Sequence, residues 1–115
     1  MNRTIKIAVD AMGGEKSPEK VIRGIKIHNN TSENIFYNIF GDKSLLEILS
    51  DKINLNKKNY KIIHTKDIIK DTDSPLSAAK KGKDTSMWKS IESLKIDESD
   101  AIVSAGNTGA LFVIA

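Results

Sequence analysis

Ile5-Lys6-Ile7-Ala8-Val9, then Asp10-Ala11-Met12-Gly13-Gly14, then Ser17-Pro18 is the stretch that decides the fold. Ile5 to Val9 is a short β-branched and aliphatic run after a polar start, which predicts a buried strand. Asp10 to Gly14 breaks that strand with a glycine pair. Ser17 followed by Pro18 predicts a helix start, with a hydroxyl N-cap and a proline at the first helical position. Val21, Ile22 and Ile25 give this helix an apolar face, and Asn29-Asn30 ends it.

The alternation continues outward from this unit. Ile35 to Phe40 predicts a second strand, and Asp42 can cap a helix carrying Leu45, Leu46, Ile48 and Leu49. Asn54 to Asn59 is a polar loop, and Tyr60 to His64 a third strand. A loop running to Asp73 leads to Ser74-Pro75, another cap-and-proline start, with Ala78 and Ala79 in the helix that follows. After Gly82, Lys83-Asp84-Thr85-Ser86 precedes a helix with Met87, Ile91 and Leu94 on one stripe. Ala101 to Ser104 predicts a fourth strand, Ala105 to Gly109 breaks it, and Ala110 to Ala115 begins an apolar helix. Strands separated by helices need crossover connections, hence a mainly parallel sheet with helices on both faces. The expected class is α/β, a three-layer αβα arrangement of Rossmann-like type. No repeat, low-complexity segment or linker divides the 115 residues. The run Leu111 to Ala115 has no capping residue, so the sequence reads as cut short: residues 1–115 as the amino-terminal portion of a single larger domain.

Composition narrows the chemistry. There is no cysteine, which excludes disulfides, thiolate catalysis and cysteine-ligated metals. His28 and His64 each stand alone and read as structural or solvated, so no metal site is expected. The formal net charge is +3, but the basic residues are almost all scattered lysines, with Arg3 and Arg23 the two arginines. Phosphate-backbone and base contacts favour the planar arginine fork, so nucleic acid is not expected as a partner. No signal peptide is visible, and no apolar run approaches the roughly 20 residues of a membrane span. The cytoplasm is the expected location.

In open parallel sheets, ligands bind beyond the carboxyl ends of the strands. Two loops leave strands there: Asp10-Ala11-Met12-Gly13-Gly14 and Ser104-Ala105-Gly106-Asn107-Thr108-Gly109. Each has glycines that let backbone amides approach a ligand, and each feeds a helix whose amino end attracts anions. Tight strand-to-helix turning would explain the same glycines. Neither loop fits the dinucleotide pattern or the P-loop, so the residues alone predict an anion site and no particular anion.

Ile7 to Gly14 with Ser17-Pro18 resembles the opening of the acyl-carrier-protein-dependent bacterial phosphate acyltransferases, the PlsX family. Val103 to Leu111 resembles that family's second hallmark run. Between them, Lys80 to Met87 resembles its basic segment ending in an Asp-Ser-Ser-type triplet, here Asp84-Thr85-Ser86. The three motifs occur in family order and at family-like spacing. Glu15 stands where the family usually has aspartate, and lysine replaces arginine in the basic segment. Family members also continue well past the second glycine motif.

The resemblance implies a fold related to that of the isocitrate and isopropylmalate dehydrogenases, incomplete over this length. It implies transfer of an acyl group from acyl-[acyl-carrier protein] to inorganic phosphate, the first step toward phosphatidic acid in phospholipid synthesis, with no cofactor. Asn107, Thr108 and Asp10 are the candidate catalytic residues. Gly13, Gly14, Lys83, Asp84, Ser86, Ser104, Gly106 and Gly109 are the candidates for phosphate or substrate binding. Asp10, an anion like phosphate, is expected to accept a proton, orient donors or fix its loop through backbone amides. Lys80, Lys81 and Lys83 can attract phosphate or the acidic carrier protein, or form a solvated helix end. For the full-length protein the resemblance further implies a homodimer, a downstream membrane acyltransferase as partner, and peripheral attachment at the inner membrane. The alternatives are an inactive truncated gene product of the same family, and a phosphotransacetylase-like enzyme or dehydrogenase of the related fold.

Overall fold

A computed structural model describes residues 4–14, 16–31, 34–70, 72–80, 84–106 and 108–114. Strands β1 (Ile5–Asp10), β2 (Ile35–Gly41), β3 (Tyr60–His64) and β4 (Ala101–Ser104) form one sheet in the order β3-β2-β1-β4. Every pairing is parallel. Between and after them lie helices α1 (Glu19–Thr31), α2 (Lys43–Ile53), α3 (Pro75–Lys80), α4 (Ser86–Lys95) and α5 (Thr108–Ile114). The α/β class with a parallel sheet flanked by helices is therefore as expected.

Strand residues alternate between the two faces. Val9, Tyr37 and Ile39 point to one face, where they pack with Ile22 and Ile25 of α1 and Leu46 of α2. Ala8, Asp10 and Asn38 point to the other face, against α4 and the turn that follows it. A second cluster of Ile69, Met87, Ile91 and Ala110 ties α4 to α5 on that side. Helices on both faces make the three layers.

The side of α4 toward the sheet differs from the expected stripe. Met87 and Ile91 are buried, but so are Ser86, Ser90 and Ser93. The Ser90 hydroxyl donates to the Ser86 carbonyl at 2.7 Å, and the Ser93 hydroxyl to the Ser90 carbonyl at 2.7 Å. Beyond the helix, Asn38 Nδ2 donates to Ser99 Oγ at 2.9 Å and to the Glu98 carbonyl at 3.0 Å. These hydrogen bonds let small polar groups be buried where bulkier apolar ones would hold the helix further off.

Helix boundaries follow capping chemistry with one exception. Asp42 caps α2 by accepting from Leu45 N at 3.3 Å, Ser74 accepts from Ser77 N at 3.1 Å ahead of α3, and Thr85 caps α4 by accepting from Trp88 N at 3.1 Å. Ser17 does not cap α1. Its hydroxyl donates backward to the Gly13 carbonyl, so it ties down the glycine loop. The helix opens at Glu19 and passes Asn29-Asn30 to reach Thr31. On α2 the expected apolar face also narrows: Leu46 is buried and Leu49 packs beside it, whereas Leu45 and Ile48 are exposed.

Candidate active site

The carboxyl ends of β1 and β4 meet in register, with Asp10 opposite Ser104. Asp10 is 2% exposed. Its Oδ1 accepts from Ser86 Oγ at 2.5 Å and from Met12 N at 3.3 Å. Its Oδ2 accepts from Ser104 Oγ at 2.9 Å. The Ser104 oxygen in turn accepts from Gly106 N at 3.2 Å. One buried carboxylate thereby joins its own loop, the first residue of α4 and the turn after β4. The amino end of α4 also presents its positive pole to that carboxylate. Charge-assisted bonds of this kind are stronger than neutral ones and offset the cost of burial.

The two glycine loops touch. A Cβ built on Gly13 would lie 2.8 Å from Asp10 Oδ2, 2.8 Å from Gly106 Cα and 2.9 Å from Gly106 N. Gly14 has φ +90, and its Cβ would meet the Ala105 carbonyl oxygen at 2.8 Å. Glycine is required at both positions, by close backbone approach at the first and by left-handed conformation as well at the second. At Gly106 a Cβ would meet Met87 Cε at 3.0 Å and Gly13 Cα at 3.3 Å.

The segment after β3 supports the same corner. Asp67 N donates to the Asp84 carbonyl at 3.0 Å, and Ser86 N to the Asp67 carbonyl at 3.3 Å. These bonds fix Thr85 and Ser86 beside the carboxyl edge. The Asp84 side chain itself is exposed.

The structure thus brings together Asp10, Gly13, Gly14, Ser86, Ser104 and Gly106. Gly109 lies within α5, which Thr108 opens. Asn107 and Lys83, with Glu15 and Lys81, lie outside the described residues. Lys80 ends α3 and is exposed. Both histidines have structural partners: His28 Nδ1 shares a 2.6 Å hydrogen bond with Tyr37 Oη, and His64 Nδ1 accepts from Lys43 N at 3.2 Å. Sequence reading missed the convergence of the Ser86 and Ser104 hydroxyls on Asp10. The available signal was the placement of polar residues, each at an element end, on one sheet edge.

An open parallel sheet with glycine turns packed together at its carboxyl edge is an α/β arrangement of the kind in which ligands characteristically bind beyond the strand ends. The family described as "Fatty acid synthesis protein" matches residues 5–115, and the chain belongs to that family. The chain is 56% identical over 115 residues to a phosphate acyltransferase of Pelagibacter ubique, covering 99% of this chain and 34% of that protein. A phosphate acyltransferase of Ehrlichia ruminantium is 40% identical over 114 residues, covering 96% of this chain and 33% of that protein. One of Oenococcus oeni is 38% identical over 112 residues, covering 96% of this chain and 31% of that protein. The chain therefore spans about a third of the length of these curated relatives.

Proposed function

We propose that this chain forms the phosphate-binding corner of a phosphate acyltransferase, which converts acyl-[acyl-carrier protein] and inorganic phosphate to acyl phosphate and free carrier protein. The observation that carries this reading is the clasp of Asp10, Ser86 and Ser104 that packs two glycine loops against each other. Phosphate is itself the nucleophile, so the reaction needs no serine or cysteine to be acylated. A phosphate oxygen attacks the thioester carbonyl, a tetrahedral oxyanion forms, and the carbon–sulfur bond then breaks. The leaving sulfur takes up a proton to give the carrier protein's free thiol.

What such a reaction asks of the protein is alignment and anion stabilisation. Asn107 and Thr108, within the second glycine run of the sequence, are assigned as donors to phosphate or oxyanion. Backbone amides of both loops contribute further donors, and Lys83 contributes positive charge. Asp10 works as a positioning residue. Its lone pairs are committed to two hydroxyls and an amide, so its part is to hold the loops in place. Ser86 and Ser104, whose protons are directed at Asp10, act through the same clasp.

The test is Asn107→Ala in a full-length member carrying this segment. Loss of an oxyanion donor is expected to lower turnover by ~10²–10³, whereas loss of a helix cap alone costs about 1 kcal/mol of stability. A variant that melts earlier but turns over normally would restrict Asn107 to capping.

A further inference from the structure

The peptide that links Gly13 to Gly14 has no Cβ on either flank. Turning its plane over changes mainly the torsions of those two residues, and glycine accepts positive and negative φ about equally. Intrinsic backbone preference therefore does not choose between the two orientations. The choice matters chemically. A trans peptide, as this one is, points its carbonyl and its N–H in opposite directions.

Ser17 makes the choice. Its hydroxyl donates to the Gly13 carbonyl, which turns the Gly14 N–H to the opposite side. The serine is half-buried, and α1 opens only at Glu19, so this hydroxyl caps no helix. Among the described residues no acceptor meets Gly13 N or Gly14 N. Gly13 is a buried residue, and buried amides are normally paired. Both amides thus stand available in the corner where the loop packs on Ala105 and Gly106. With the peptide turned over, a carbonyl oxygen would take the place of the Gly14 N–H, and the negative end of that dipole repels an anion.

We infer that Ser17 is a positioning residue for phosphate, holding the Gly13–Gly14 peptide with its N–H toward the anion. The inference rests on the phosphate-binding reading above and adds to it a residue outside the Asp10 clasp, one that itself touches no substrate. The hydroxyl acts on phosphate affinity and leaves the acyl donor's site alone.

The experiment uses a full-length member of the family carrying residues 5–115 of this chain, the segment matched by the family. Acyl phosphate formation is measured with phosphate and acyl-[acyl-carrier protein] varied in turn. Ser17→Ala is expected to raise the KM for phosphate roughly three- to tenfold, the worth of one hydrogen bond, and to leave the KM for the acyl donor within about twofold. Ser17→Thr keeps the hydroxyl and should stay within about twofold of the parent for both substrates. A phosphate KM for Ser17→Ala within about twofold of the parent overturns the inference, even where thermal melting shows lost stability. An equal rise in both KM values also overturns it, since that marks general distortion of the loop, and so does a Ser17→Thr value as high as that of alanine. If Ser17→Ala does not fold, Ser17→Cys, a weaker donor of similar shape, decides by the same comparison. A parent whose turnover does not depend on phosphate overturns the proposed reaction and this inference together, whereas a phosphate-dependent parent with an unaffected Ser17→Ala overturns the inference alone.

Discussion

Asp10 shows how much one side chain can organise. Its two oxygens take three hydrogen bonds from three separate segments. Hydrogen bonds to charged groups are worth about 1.5–3 kcal/mol each. Ser104→Ala removes a donor to Asp10 and the acceptor for Gly106 N. It should therefore lower unfolding stability by roughly 2–4 kcal/mol, read from urea denaturation. A loss under about 0.5 kcal/mol, the range of ordinary surface changes, would show that the clasp contributes little. The glycines give a comparison of ranks. Gly13→Ala forces a methyl onto backbone atoms that cannot move away, whereas Gly106→Ala meets first the end of a methionine. Gly13→Ala should be the more destabilising of the two in parallel thermal melts, and the reverse order would contradict the packing described. Tyr37 supplies a pH signature. Burial raises its phenol above the ordinary 10.0. The unfolded chain then releases that proton first, so the contribution of Tyr37 to stability is full below about pH 10 and is lost as pH rises through the folded value. Tyr37→Phe should flatten this part of the alkaline decline in a stability–pH series.

At the scale of the element, α4 packs through small buried side chains, Ser86, Ser90 and Ser93. Ser90 has no exposure and sits under the middle of the helix. Ser90→Ala removes a bond to a helical carbonyl and should cost under about 1 kcal/mol. Ser90→Val adds volume at a close contact and should cost about 1–3 kcal/mol. Equal denaturation midpoints for the two variants would show that the helix has room to spare. The α4 serines also mark where the sequence could be read and where it could not. Strands were legible from β-branched runs, and β3 matches its expected bounds, Tyr60 to His64. Asp42 and Ser74 were legible as caps because capping is local chemistry. Ser17 carried the same local signal, but its hydroxyl is engaged by the Gly13 carbonyl, an alternative no local rule ranks. Leu45 and Ile48 look like core residues by type, yet α2 turns them outward. The glycine loops announced the site edge, whereas the Ser86–Asp10 contact spans 76 positions and follows from topology.

At the scale of the whole molecule, the chain spans about a third of the length of the relatives it matches. Residues Met1 to Ala115 alone are expected not to catalyse acyl transfer: among the described residues β4 is a border strand of the sheet, and an apolar groove lies beside it. The check is formation of acyl phosphate from acyl-[acyl-carrier protein] and phosphate by the purified chain. Turnover near that of a full-length relative, from a monodisperse sample, would move the domain boundary to within these residues. The strand order has a further consequence in time. Strand β1 is interior in the finished sheet but pairs with β4 only across 94 positions, from Asp10 to Ser104. Pairing of such distant segments is entropically late. During synthesis at about 5–20 residues per second, the 40 residues from His64 to Ser104 take roughly 2–8 s to emerge. A sheet of β1, β2 and β3 alone, formed in that interval, would have β1 at its border. Asp10 at the end of that border would lack both serine hydroxyls, and a polar side chain beside an open strand edge discourages wrong pairing with another nascent chain. The side chain that joins the two glycine loops in the finished fold would then first guard the unfinished sheet.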